Sequence, residues 1–167
     1  MGNTRTLVIT SDIPHQNVVS LCPSANGTIG EWQVLYNPPR GTKCDFWIVF
    51  TTSRDKDWMH CAPENTLYLA GEPPSKKVHP KKFYSQFQYV FSCNPEDPHP
   101  KVEVGAPCLN WHVGLDTSTH KYRFGHAYLS ELAPPRKINK ISVVCSNLRS
   151  TEGQRKRLEF LEHLKSI

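Results

Sequence analysis

Thr66-Leu67-Tyr68-Leu69-Ala70-Gly71-Glu72-Pro73-Pro74 (TLYLAGEPP, residues 66–74) is the stretch on which the reading of the chain turns. It opens with a near-continuous apolar run, Thr66 to Ala70, of strand length. A strand that is apolar throughout, rather than alternating, is expected to be buried on both faces, as in a parallel sheet beneath helices. Gly71 ends the run and permits a tight backbone. A lone acid follows, and two prolines fix the direction in which the chain departs. Ligands of open α/β sheets bind outside the carboxyl ends of the strands, so Glu72 is placed for general-base work. Spacing alone favours the plainer alternative, a loop acid in solvent or paired with Lys76 or Lys77.

Similar short runs recur on either side: Thr6–Thr10, Trp32–Tyr36, Asp45–Phe50, Gln88–Ser92 and Lys140–Cys145. All are rich in β-branched and aromatic residues, and all are expected as strands. Between them, Pro80–Phe87 suits a short helix with proline in its first turn. Glu152–Lys165 carries the strongest helical pattern. Leu158, Leu161, Leu164 and Ile167 recur at spacings of three with Phe160 beside them, while Glu159, Glu162 and Lys165 lie off that stripe. Residues 93–137, dense in Pro, His and Gly, are expected as an extended loop with a short helix near 119–131. The fold class expected is α/β with a Rossmann-like parallel sheet. Ala133-Pro134-Pro135-Arg136-Lys137 has the composition of a linker. It separates a domain at 1–135 from a strand–helix unit at 136–167, which is either the last unit of that domain or the first of another.

The 167 residues suit one domain, or one with a fragment of a second, and the fourteen prolines argue for long ordered loops over a helical bundle. A net charge of +5 is mild. It accommodates an anionic small ligand, nucleic acid, or simply a basic soluble protein. Lys76-Lys77 and Lys81-Lys82 with Phe83, Tyr84 and Tyr89 mix basic and aromatic residues, but no nucleic-acid motif accompanies them and no such partner is expected. The six cysteines are irregularly spaced, with no C-x-x-C. With Met1-Gly2-Asn3-Thr4-Arg5 leading straight into Leu7-Val8-Ile9, they are expected as free thiols in a reducing compartment. Asn26-Gly27-Thr28 has the pattern of a glycosylation sequon, which means little without a secretory signal. No apolar stretch approaches the roughly 20 residues that span a bilayer. A cytoplasmic location, free or at a membrane surface, is expected.

Three further constellations invite chemistry. In Val143-Val144-Cys145-Ser146-Asn147 a strand-like run ends in small polar residues, and the helix beyond carries Arg155, Lys156 and Arg157 in its first turns. Helix N-termini favour phosphate through free N–H groups and the dipole, and arginines add charge-assisted bonds. An ordinary capped helix with a solvated charge run fits equally well. The histidines His60, His79, His99, His112, His120 and His126 show no metal-ligand spacing, and no metal is expected. Asn110-Trp111-His112-Val113-Gly114 places an amide, an indole and an imidazole in a row that would suit stacking on a sugar. A core tryptophan with polar neighbours is the plainer alternative.

Taken together, Leu67–Pro74, Tyr89-Val90-Phe91-Ser92-Cys93, and Ile141–Asn147 followed by Arg155, Arg157 and Phe160-Leu161-Glu162-His163-Leu164 resemble the first part of a family-10 glycosyltransferase. These are the α-1,3/1,4-fucosyltransferases and their relatives, and residues 66–167 carry the likeness. The resemblance implies the N-terminal half of a two-domain GT-B enzyme that inverts the anomeric centre. Such an enzyme uses a GDP-sugar, with GDP-fucose expected, a glycan acceptor and no obligatory metal or other cofactor. It maps the family's general base onto Glu72. It maps the family's diphosphate contact onto Arg157 by distance to Leu164, or onto Arg155 by the R-x-R pair, with Ser146 and Asn147 beside it. Asn110, Trp111 and His112 are the expected acceptor contacts. Only the first strand–helix unit of the donor domain falls within the 167 residues, so this chain alone is expected to lack most of a donor site. A non-catalytic carbohydrate- or nucleotide-binding module and a basic nucleic-acid-associated domain are the rival classes.

Overall fold

A computed structural model describes residues 4–13, 18–24, 26–52, 54, 56–106, 108, 114–116, 118–119, 121–143 and 145–166, with Val18 and Ser20 described by backbone only. They fall into two compact units, Met1–Leu132 and Ala133–Ile167.

In the first unit, β1 (Arg5–Thr10), β2 (Thr28–Ile29), β3 (Trp32–Tyr36), β4 (Phe46–Phe50), β5 (Thr66–Leu69), β6 (Tyr89–Ser92) and β7 (Val102–Val104) form one seven-stranded sheet. Its order is β2-β3-β1-β4-β5-β6-β7, and every neighbouring pair is parallel except β2 with β3. β8 (Leu115–Asp116) and β9 (Lys121–Tyr122) make a separate antiparallel pair, and short helices α1 (Lys81–Tyr84) and α2 (His126–Glu131) complete the unit. The apolar runs within residues 6–92 are β1, β3, β4, β5 and β6. β2, β7, β8 and β9 have only two or three residues each, too few to show a period in sequence.

The chain crosses from β1 to β3 on one side, then returns to set β4 on the other side of β1 and steps outward through β5, β6 and β7. This strand order is Rossmann-like, and it reverses at β1. The carboxyl ends of β1 and β4 therefore flank the topological switch point, where such sheets hold ligands.

Burial alternates along the strands. Register sets Val49, Tyr68 and Val90 side by side, all at most 3% exposed. Phe83, Tyr84 and Phe87, from α1 and its exit, pack on them. Val8, Cys44 and Met59 continue this core with Leu35 and Trp47. Burying one side chain of this size stabilises the fold by about 1.5–3 kcal/mol. The other set, Ile9, Ile48, Phe50, Leu67, Leu69 and Phe91, is only half-buried, and Tyr89 is exposed. The expectation of strands buried on both faces is thus corrected. The described parts of the crossovers contain little helix, and the packing of 38–62 and 80–87 serves one face. All six cysteines are free thiols, and burial pushes Cys44 up to about 12.

In the second unit, α3 (Glu152–Lys165) forms over the span its periodicity predicts. Thr151 caps it: Gln154 N–H donates to Thr151 Oγ1 at 3.3 Å, and Thr151 N–H donates to Gln154 Oε1 at 3.0 Å. Leu158, Leu161 and Leu164 are its half-buried stripe. The strand expected at Lys140–Cys145 does not form among the described residues, and Ile141 stands 78% exposed. A strand needs a neighbour to take its backbone hydrogen bonds, and no other described segment of this unit is a strand. Ile141 and Val143 instead line a shallow pocket of about 340 Å3 with Leu161, Leu164 and Lys165. No helix among the described residues is long and apolar enough to cross a membrane.

Candidate functional site

The carboxyl edge of the sheet is held together at Thr51. This residue leaves β4 with φ +61°, a left-handed backbone that is rare for a β-branched side chain. Four contacts hold it there. Its N–H donates to Leu69 O at 2.9 Å, and its carbonyl accepts from Tyr68 Oη at 2.9 Å. Its hydroxyl donates to Asp12 Oδ1 at 3.0 Å and lies 3.4 Å from Ser11 Oγ. Strain in the backbone persists only where surroundings over-determine it, and it concentrates at functional sites.

Gly71 packs directly against this residue. A Cβ at 71 would overlap Thr51 Cγ2 and come within 3.3 Å of Cys108 O. Ala70 before it is buried, its N–H donating to Phe91 O at 2.9 Å and its carbonyl accepting from Cys108 N–H at 3.0 Å. The backbone is therefore pinned up to the residue preceding Glu72. Glu72 itself is exposed and makes no hydrogen bond or ion pair with any described residue, Lys76 and Lys77 included. Pro73 O accepts from Lys76 N–H at 2.8 Å and from Lys77 N–H at 3.1 Å, so the proline pair opens a tight turn.

At the switch point, Ser11 follows β1 and is fully buried. Asn37, following β3, grips it from the other side. Ser11 N–H donates to Asn37 Oδ1 at 2.9 Å, and Asn37 Nδ2 donates to Ser11 O at 3.0 Å. Asn37 too is left-handed, with φ +48°. The residues leaving the two strands that flank β1 thus both adopt this uncommon conformation. Asp12 is exposed beside them, and Lys77 Nζ donates to Thr52 Oγ1 on the neighbouring turn.

The exit segment after Glu72 is anchored by an aromatic cluster. The His79 ring stacks on Phe83 at 3.8 Å and meets Tyr68 edge-on at 5.5 Å. Burial lowers the His79 pKa, and Lys77 adds to the effect. Its Nε2 is buried with no hydrogen-bond partner among the described residues. Tyr84 Oη donates to Asp97 Oδ1 at 3.0 Å, and burial pushes the phenol up to about 12. His79 is thus a packed structural residue. Among the described residues no three His, Cys, Asp or Glu side chains come together as a metal ion would require.

The remaining sequence-derived candidates lie elsewhere. In the second unit, Ser146 and Asn147 are exposed and precede the Thr151 cap. Arg155 Nη1 donates to Arg149 O at 3.1 Å, which ties that arginine to the chain entering α3. Arg157 is exposed and bonds to no described side chain. Asn110, Trp111 and His112 lie outside the described residues.

Sequence reasoning missed Ser11, Asp12, Asn37 and Thr51. The polar step Thr10-Ser11-Asp12 after the first apolar run was the available signal, but its meaning depends on which strands flank β1. No family model, no curated protein and no solved structure matches the chain.

Proposed function

We propose that this chain is the acceptor-side part of an inverting sugar transferase of the kind it resembles, a GT-B enzyme that moves fucose from GDP-fucose to a glycan hydroxyl. Glu72 takes the proton from that hydroxyl, the oxygen attacks the anomeric carbon, and GDP leaves with the electrons of the broken bond. The leaving diphosphate needs cationic stabilisation, the role given to Arg157 or Arg155 with Ser146 and Asn147. Asn110, Trp111 and His112 are assigned to the acceptor.

One observation carries the reading. Gly71, packed without a side chain against Thr51, pins the backbone before a solvent-facing carboxylate at the carboxyl end of β5. That is the sheet edge where α/β folds hold ligands. A solvent-accessible carboxylate with no competing partner among the described residues is free to meet an incoming hydroxyl. The test is transfer from GDP-fucose by the polypeptide carrying both halves. Glu72→Gln is expected to lower kcat by about 10²–10⁴-fold, the usual worth of a general base, with little change in donor KM. Full activity in that variant would remove Glu72 from the mechanism. Sugar binding with no transfer in the wild-type polypeptide would favour the non-catalytic carbohydrate module.

A further inference from the structure

Cys44 and Cys61 precede β4 and β5, at the sheet edge opposite Glu72. Two short segments bring them together. Lys43 pairs with His60 in a parallel bridge. Cys44 N–H donates to His60 O at 3.0 Å, and His60 N–H donates to Thr42 O at 3.0 Å. One residue further along the same register, Cys44 falls beside Cys61. Neighbours across parallel strands lie about 4.8 Å apart, within the Cα range of about 4.4–6.8 Å that a disulfide bridges.

The side chains meet as this register requires. Cys44 is buried with Val8 and Met59, and Cys61 packs against that cluster. The Cys44 thiol donates a hydrogen bond to the Cys61 sulfur, and Cys61 Sγ donates in turn to Asn65 O at 3.5 Å. Burial raises the pKa of both thiols, and the charges of Asp45 on both and of Glu64 on Cys61 add to it. Their shared hydrogen bond raises Cys44 further but favours the thiolate of Cys61. Cys61 is also the more accessible of the two. It is therefore the sulfur that a small oxidant meets first, with Cys44 in place to resolve the product.

We propose that Cys44 and Cys61 are a disulfide-forming pair, closed by exchange with a small-molecule disulfide such as oxidised glutathione. The Cys61 thiolate attacks one sulfur of the small disulfide, whose other half leaves as a thiol. The Cys44 thiolate then attacks the Cys61 sulfur of the mixed disulfide, and the second half leaves likewise. The two cysteines give up two protons and two electrons, which appear in the two small thiols. The bond ties together the entries of two adjacent strands, β4 and β5. It closes a loop of about 18 residues, which restricts the unfolded chain. The pair is independent of the sugar-transferase reading, because it lies at the edge of the sheet remote from Glu72.

The experiment is thiol mapping of the native chain after incubation with excess oxidised glutathione. Remaining thiols are alkylated, and trypsin, which cuts after Lys43, Arg54, Lys56 and Lys76, leaves the two cysteines on separate peptides. Mass spectrometry is expected to find those peptides joined, two hydrogens lighter than their sum. This link should dominate in the native chain and be one among several when the oxidation is carried out in concentrated urea. The linked chain should unfold at a urea midpoint about 1 M above the reduced one. Cys61→Ser should leave Cys44 open to alkylation after unfolding. The proposal is overturned if both cysteines of the native chain end capped by glutathione or alkylated. It is equally overturned if native and urea-treated chains give the same spread of links, or if the link fails to raise the midpoint. Wild-type mapping needs no variant to fold, and full transfer by Glu72→Gln would end the base assignment and leave the pair intact.

Discussion

Gly71→Ala tests the contact on which the candidate site depends. The backbone at 71 is not left-handed, so alanine meets no conformational barrier there and the restriction is space alone. The new methyl would overlap Thr51 Cγ2 and stand 3.2 Å from Thr51 Cβ. Thr51 has no easy retreat. Its backbone is bonded on both sides, to Leu69 and Tyr68, and turning its side chain breaks the 3.0 Å bond to Asp12. Overpacking of one methyl costs about 1–3 kcal/mol, and loss of the hydroxyl bond adds about 0.5–1.5 kcal/mol. A total near 2–4 kcal/mol should lower the urea midpoint by about 1–2 M for a urea slope of about 2 kcal/mol per M, read from tryptophan fluorescence. Thr51→Ser removes Cγ2 while keeping the hydroxyl, so the double variant should recover at least about 1 kcal/mol of the loss, a coupling typical of residues in contact. A Gly71→Ala protein within about 0.5 kcal/mol of wild type, or a double variant with no recovery, would refute the packing argument and with it the claim that Glu72 follows a fixed backbone.

Two further contacts give testable outcomes. Burial lowers the His79 pKa and Lys77 further disfavours its charge, against the smaller opposing effects of the Thr51 backbone, Asp97 and Asp12. Its folded pKa lies below the unfolded value of about 6.5, so the unfolded chain binds a proton first. Stability should be constant above that pH and fall as pH drops through the folded pKa. His79→Phe should flatten this slope in urea titrations between pH 8 and 5, and equal slopes would remove His79 as the cause. At α3, Thr151→Ala removes one arm of the capping box and should cost about 1 kcal/mol, seen as faster amide exchange in the first turn of the helix. Unchanged exchange there would show that the cap does not hold the N-terminus.

The strands within residues 6–92 and α3 were legible because their signals are local. A short apolar run between polar turns has few outcomes other than a strand, and a leucine stripe at helical spacing marks one face of a helix. Lys140–Cys145 carries the same kind of signal but forms no strand among the described residues, because a strand is completed by a partner that its own residues do not encode. Burial on both faces was misread for a related reason. Apolar composition states what a face tolerates, while the crossover segments decide what covers it.

Glu72 was visible as an acid at a strand end, and Gly71 was expected to serve a tight backbone, whereas its φ is ordinary and glycine is required there for space alone. What Gly71 accommodates was not visible. Thr51 lies in a different loop, and only the pairing of β4 with β5 brings its methyl to that backbone. The same holds for Asp12, Ser11 and Asn37, which gather because β1 lies between β3 and β4. By itself the sequence determined the five apolar strands within residues 6–92 and the helix α3, since burial periodicity and turn chemistry act over a few residues. The tertiary structure alone decided which loops meet at the sheet edge, because strand order is set by long-range pairing and packing rather than by any local stretch of chain.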